Sequence, residues 1–241
     1  MKAVLLAAGE ARRLRPLTDD RPKCLLDVGS ETILARAVRI LAENGIDRFT
    51  VVDGYRGDMI RSALNAGFSG LDFSFIRNED FASTNNAWSL MLADHDVTEP
   101  MFLLDSDIVF EPAVIRRLLE HPAPNRLGLR TTGEIGAEEM KAALAADGRV
   151  SGLSKELDPL AAAGESVGLE IFSPEFVAAL YPVLRRRLHE EARVNEFYEA
   201  AFAELIDTGH EVRPVNLESL ICLEIDTAED LAAARRIVGD S

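Results

Sequence analysis

An α/β fold with a mixed, mostly parallel sheet and helices on both faces is predicted by three features of the 241-residue sequence. Short apolar runs of strand length alternate with segments of helical periodicity, the pattern of repeated β–α–β units. The apolar runs stop at Gly9, Asp53 and Asp105, and strand ends of this kind in a parallel sheet open onto one crevice. With 47% hydrophobic residues, the chain has enough apolar side chains for one sizeable core.

The elements follow in order. Residues 2–6 form an apolar strand, and a loop rich in glycine, arginine and proline runs from there to about Lys23. Ile33, Leu34, Ala37, Val38 and Leu41 recur at helical spacing, and Gly45 stands where a glycine ends a helix. Residues 49–53 and 71–76 read as strands around a helix over 56–66. A helical segment over 86–93 precedes a fully apolar strand over 101–104. In the second half, residues 138–145 and 149–153 flank Asp147-Gly148 and predict a hairpin. A strand over 167–172, helices over 174–189 and 195–207, and strands over 211–215 and 221–225 lead to a closing helix over 228–238 with Thr227 as its N-cap. No linker or repeat interrupts the sequence, so one domain over residues 1–241 is expected.

Composition excludes several functions. The formal net charge of −15 disfavours nonspecific contact with nucleic acid or an anionic membrane. The first apolar run is too short for a signal segment and is followed by arginines, and no run approaches the ~20 residues of a membrane span. Cys24 and Cys222 lie inside apolar runs without a CxxC pattern, as small hydrophobes in a reducing compartment do. A soluble, cytoplasmic protein without membrane insertion is expected. Nothing in the sequence selects an oligomeric state.

Residues 6–26, LAAGEARRLRPLTDDRPKCLL, carry the strongest signal. Small residues after a strand let backbone N–H groups approach a ligand. Arg12, Arg13, Arg15, Arg21 and Lys23 concentrate positive charge in an acidic chain, which suits a polyphosphate. Neither the P-loop nor the GxGxxG fingerprint is present, which argues against a dinucleotide-dependent oxidoreductase. The segment resembles the signature LAAGxGxRLxPLTxxxPKxLL of the sugar-phosphate and alcohol-phosphate nucleotidyltransferases. Ala7, Ala8, Gly9, Arg13, Leu14, Pro16, Leu17, Thr18, Pro22 and Lys23 fall in place, whereas Ala11 and Arg12 stand where the family has glycine and a small hydroxyl residue. The resemblance implies a Rossmann-like fold of the nucleotide-diphospho-sugar transferase type. It implies that residues 1–130 bind the nucleotide, 131–220 the acceptor, and that 221–241 bring the last metal carboxylate. Leu6, Ala8, Gly9, Glu10, Ala11 and Arg12 would surround the nucleotide, Arg13 would hold its phosphates, and Lys23 would approach the reacting ones.

Asp105 and Asp107 follow an apolar strand, and strand alternation would put both on one face. Two carboxylates so close repel unless a cation lies near, and Mg²⁺ takes a few carboxylates plus phosphate oxygens. Asp226 follows another apolar strand in LEIDTAED. The resemblance implies Asp107 and Asp226 as metal ligands, with Asp105 supporting the nucleotide site.

Asn78, Thr84, Asn85 and Asn86 lie in a stretch whose amides suit a pyrimidine edge. The segment is similar to that of the bacterial CTP:phosphocholine cytidylyltransferases, which favours CTP, and Asp53, Gly54 and Tyr55 match the family's strand-end Gly-Tyr. Downstream, Lys141 and Lys155 are candidates for the acceptor phosphate, and Gly168, Glu170, Glu196 and Tyr198 for the acceptor's other end, where acidic residues could pair with an amine. No aromatic cage for a quaternary ammonium is evident. The expected activity is Mg²⁺-dependent transfer of CMP from CTP to a small phosphorylated alcohol, amino-alcohol or phosphonate, with pyrophosphate released and Arg13, Lys23, Asp107 and Asp226 as catalytic residues. The alternatives are a sugar-1-phosphate nucleotidyltransferase using UTP or another nucleoside triphosphate, and a catalytically silent nucleotide-binding regulator on the same fold.

Overall fold

The computed structural model describes residues 1–131 and 135–239. The first half lays down β1 (Lys2–Ala7), the short pair β2 (Asp27–Val28) and β3 (Glu31–Thr32), α1 (Ile33–Glu43), β4 (Arg48–Asp53), α2 (Gly57–Gly67), β5 (Asp72–Arg77), α3 (Asn86–Leu92) and β6 (Met101–Asp105). The second adds β7 (Ile108–Phe110), α4 (Pro112–Glu120), β8 (Arg126–Arg130), β9 (Lys141–Leu144), β10 (Val150–Ser154), β11 (Gly164–Phe172), α5 (Pro174–Arg185), α6 (Glu199–Asp207), β12 (Arg213–Asn216), β13 (Cys222–Glu224) and α7 (Ala228–Gly239). β2, β3, β7 and β8 have no counterpart among the expected elements, because runs of two to five residues are too short to show a period. The hairpin arm begins at Lys141 and α6 at Glu199, later than expected.

The central sheet is mixed, as expected. Strands β6, β1, β4 and β5 run parallel, and β11 adds antiparallel to β6. β1 connects one way to β4 and β5, while β6 lies on its other side, so the crevice between the ends of β1 and β6 is a topological switch point. Strand β11 joins the two halves. Its C-terminal part lies between β6 and β8, and its N-terminal end lies between β9 and β8. Its register with β8 shifts between Ser166 and Glu170, where Gly168 takes φ +66°. A Cβ there would sit 2.8 Å from Asp105 Oδ2, so both backbone and packing require glycine.

Strand alternation divides the apolar residues between the faces. Val4 and Leu6 of β1 pack with α3, α5 and α6, whereas Ala3 and Leu5 pack with α1, α2 and α4. A third cluster seals the first loop, as Leu14 and Leu26 meet Val109, Ile225 and Leu231. The last helix is thereby locked over the loop. Thr227 caps α7, accepting from Asp230 N at 3.2 Å, while the Asp230 carboxylate accepts from Thr227 N at 2.8 Å. Among the described residues no helix is long and apolar enough to cross a membrane, and both cysteines are free.

Four ionisable residues gather beside the end of β6, three of them buried and Asp105 half-buried. Tyr198, fully buried, donates to Asp105 Oδ2 at 2.9 Å. Glu170 lies behind, 0% exposed, and Glu199 is 6% exposed. Burial, and then the charges of Asp107 and Glu199, raise the Asp105 pKa well above its ordinary value. Burial and the neighbouring Asp105 and Glu199 do the same for Glu170. Burial pushes Glu199 up to about 7.

Two outcomes follow from these packing constraints. A Cβ on Gly54 would lie 2.7 Å from both Ala8 O and Phe81 Cβ, so Gly54→Ala should cost about 1–3 kcal/mol in denaturant unfolding. For Glu199, both folded and unfolded chains hold the proton below pH ~4.5, and between there and about 7 the unfolded chain alone releases it. Stability of the metal-free protein should therefore fall as pH rises through that window, with Glu199 accounting for about 3 kcal/mol. Melting temperatures between pH 4.5 and 8 should show a shallower fall in Glu199→Gln.

Candidate active site

The first loop leaves β1 through Ala8 and Gly9 and turns at Ala11, which takes φ 49°. A single 3-10 turn over Arg12–Leu14 follows, and a second over Lys23–Leu25 returns the chain to the sheet. Thr18, buried, donates to Ala11 O at 3.0 Å and holds the loop closed. This geometry points Arg13 and Lys23 at the switch-point crevice.

The acidic partners come from two distant segments. After β6 the chain turns at Ser106–Asp107 and enters β7, which pairs antiparallel with β13. Ile225 N donates to Asp107 O at 3.0 Å, which sets Asp226 beside Asp107. Asp226 N donates to Asp230 Oδ2 at 3.1 Å, fixing its backbone at the start of α7. Lys23 Nζ lies 2.6 Å from Asp107 Oδ2 and 3.2 Å from Asp226 Oδ1, and Arg13 Nη2 lies 2.7 Å from Asp226 Oδ2. Burial opposes charge on Lys23, but Asp107 and Asp226 prevail and hold its pKa above the ordinary value. The turn after Asp105 changes the expected arrangement of the Asp-x-Asp pair. Asp105 faces Tyr198 while Asp107 faces Lys23, so the two do not share one strand face.

The sequence reading missed a third carboxylate. Oxygens of Asp107, Glu224 and Asp226 all lie within 4.8 Å of one another. Burial, followed by Asp107 and Asp226, pushes the Glu224 pKa up to about 7. The signal was present in the sequence, because Glu224 and Asp226 alternate along the same strand end and so share a side.

These groups line a cavity of about 700 Å³. Leu6, Ala8, Gly9, Ala11, Arg13 and Lys23 line it, with Asn78, Thr84, Asn85, Asn86 and Asp105. Lys155, Gly168, Phe197 and Glu199 line it as well. Glu199 also escaped the sequence reading. Its mark is an acidic residue three positions before Phe202, on the stripe that α6 turns to the core.

Several residues expected at the site make contacts within the protein. Glu10 and Arg12 lie outside the cavity wall and pair with each other at 2.5 Å, on an exposed turn. Asp53, Gly54 and Tyr55 lie behind the wall. Asp53 is buried between Arg61 and Arg77, Gly54 packs on Ala8 O and Phe81, and the Tyr55 hydroxyl donates to Thr18 O and Asp19 O. They brace the loop. Asn78 spends its amide internally, donating to Thr84 Oγ1 and Ser89 Oγ at 3.1 Å and accepting from Asp80 N at 2.9 Å. Asn85 caps α3, and Asn86 Oδ1 accepts from Tyr198 N at 3.0 Å. Lys141 is 1% exposed and donates to the carbonyls of Gly136, Ala137 and Glu139, so its charge holds a loop and does not reach the cavity. Glu170 and Tyr198 sit under the wall. Glu196 is taken by Arg187, through two contacts of 2.9 Å, and by Arg193. The Lys155 ammonium rests 4.3 Å from the centre of the Phe197 ring.

Comparison with known proteins agrees with this architecture. Over 95% of its length the chain is 29% identical to the CMP-5'-(3-aminopropyl)phosphonate synthase of Streptomyces rubellomurinus, of which it spans 37%. It is 27% identical to the CTP:phosphoglutamine cytidylyltransferase of Campylobacter jejuni, over 96% of this chain and 98% of that protein. The inositol-1-phosphate CTP transferase structure from T. maritima has the same fold, with a TM-score of 0.81 at 23% identity, covering 99% of this chain and 94% of that one. A model of the MobA-like NTP transferase domain matches residues 3–131, the stretch that carries the loop, the switch point and Asp107. The chain therefore belongs to the MobA-like NTP transferase family.

Proposed function

We propose that this protein is a magnesium-dependent cytidylyltransferase that moves CMP from CTP to a small phosphorylated alcohol, amino-alcohol or phosphonate and releases pyrophosphate. One observation carries the reading. Cations of the first loop, Arg13 and Lys23, meet Asp107 and Asp226 on the wall of one cavity large enough for a nucleotide and a small acceptor. The choice of CTP is supported by the similarity to proteins whose names carry CMP or CTP.

The residues present fit a magnesium ion. Asp107, Glu224 and Asp226 offer hard oxygen donors within reach of a common point, and Asp107 Oδ1 is buried without a hydrogen-bond partner. These three residues would hold the ion, which when bound supplies positive charge against the phosphates.

The chemistry required of the chain is modest. A phosphate or phosphonate acceptor is already anionic at neutral pH, so no general base is needed. An acceptor oxygen bonds to the α-phosphorus in line as the bond from that phosphorus to the pyrophosphate oxygen breaks, and pyrophosphate carries away the bonding pair. Arg13 and Lys23 exchange their carboxylate partners for phosphate oxygens and offset the charge gathered on the leaving group. Backbone N–H groups between Ala8 and Ala11 approach the triphosphate where no side chain bulk intervenes. Lys155 steers the acceptor's anionic end.

A panel of four nucleoside triphosphates against phospho-alcohols, phosphonates and sugar phosphates, read by pyrophosphate release, tests the reading. CTP should be preferred, and silence with every pair would overturn it. Asp107→Ala should lower turnover by about 10³-fold or more while the melting temperature stays within a few degrees. Lys23→Ala should cost about 10²-fold or more in kcat, against little change for an exposed basic residue such as Arg21→Ala.

A further inference from the structure

We propose that the acceptor end of the cavity is built for a substrate whose far end bears an unmethylated ammonium group, held by Glu199 with Glu170 and Asp105 behind it. This rests on the transferase reading and adds the charge of the acceptor's far end.

Beside the cavity the fold buries carboxylate oxygens without hydrogen-bond donors. Glu199 opens α6, lines the cavity and is 6% exposed, and its Oε2 is buried with no hydrogen-bond partner. Glu170 is 0% exposed and neither of its oxygens has a hydrogen bond of ordinary geometry, although Ser166 lies close enough to act on it. Asp105 receives one hydrogen bond, from Tyr198. Among the described residues no arginine or lysine forms an ion pair with any of the three, in a chain where most other buried acids have one. A carboxylate left buried and unpaired is driven to keep its proton, and a cation placed against it is what favours the charged form.

The kind of cation follows from the spacing and the surroundings. Oxygens of Asp107, Glu224 and Asp226 gather closely enough for a metal, whereas those of Asp105, Glu170 and Glu199 do not. An ammonium, with separate N–H donors pointing in different directions, suits carboxylates that are spread apart. A quaternary ammonium needs free aromatic faces. Of the rings on the wall, Phe81 packs edge-on against Tyr55 and Phe197 carries the Lys155 ammonium. Tyr198 is turned inward and commits its hydroxyl to Asp105. Lys155 and Glu199 both line the cavity, near enough for the Lys155 charge to act on Glu199, so a short zwitterion with its phosphate or phosphonate toward Lys155 and its amine toward Glu199 would satisfy both.

Calorimetric titration of the whole protein, with Mg²⁺ and a non-hydrolysable CTP analogue, compares 2-aminoethylphosphonate, its isostere without the ammonium, propylphosphonate, and phosphocholine. The amine should bind about tenfold or more tighter than either other ligand, and Glu199→Gln should bring the amine and the isostere to within about threefold while nucleotide binding is unchanged. Glu170→Gln should weaken the amine preference in the same direction. Equal binding of amine and isostere to the wild-type protein overturns the proposal, as does failure of all three to bind or a preference that survives both substitutions. Should Glu199→Gln not fold, the wild-type ratio and Glu170→Gln decide. Pyrophosphate release, measured with CTP in place of its analogue, separates the two readings. An amine preference without release by any nucleotide sinks the transferase and keeps the ammonium site. Release that is equally fast with the isostere, together with equal binding, sinks the ammonium site alone.

Discussion

The ammonium of Lys23, held between Asp107 and Asp226, is the contact on which the site depends. Lys23 and Asp226 are 203 positions apart in the chain. Two carboxylates at one strand end would drive their segments apart without a cation between them, and Lys23 with Arg13 supplies it. The apolar cluster beneath, which joins Leu14 and Leu26 to Ile225 and Leu231, carries the same connection into the core. The loop, the turn after β6 and the start of α7 consequently behave as one unit, in which a polyphosphate with its ion can replace one set of charge contacts by another.

Two groups of acids lie a few residues apart and are treated oppositely. Asp107 and Asp226, with Glu224 beside them, meet the loop cations. Glu170 and Glu199 are buried, Asp105 is half-buried, and among the described residues none of the three has a cation paired with it. Desolvation opposes charge on these three and lifts their pKa values above the ordinary range. The net charge of −15 thus conceals a local division, with Arg13 and Lys23 gathered against Asp107 and Asp226 and the carboxylates of Glu170 and Glu199 left without a cation paired to them.

The residues that changed role did so for a common reason. Asp53, Asn78 and Lys141 are polar, lie at or beside strand ends, and are all almost fully buried. A buried polar group must satisfy its hydrogen bonds, and each of these satisfies them within the protein, on Arg61, on Thr84 and Ser89, and on backbone carbonyls. Asp53 and Lys141 lie behind the wall, and Asn78 is fixed within it. Exposure to the cavity is a property of the packed chain, and residue type at a strand end does not reveal it.

The order of strands and helices, the stop at Gly9 and the cationic loop were legible in the sequence, because hydrophobic periodicity and short motifs are local. Asp107 and Asp226 were brought together only by the resemblance to a known family. Glu224 was legible in principle from its alternation with Asp226, and Glu199 from its place on the apolar stripe of α6. The remainder required the tertiary structure. That Asp105 turns to Tyr198 while Asp107 turns to Lys23 follows from the turn at Ser106 and from the pairing of β7 with β13, a contact between distant segments. That Glu196 is spent on Arg187 while Glu199 faces the cavity depends on where α6 begins and how it packs. Local pattern fixes which residues can do chemistry, and the long-range packing of loops and strand ends selects those that meet a ligand.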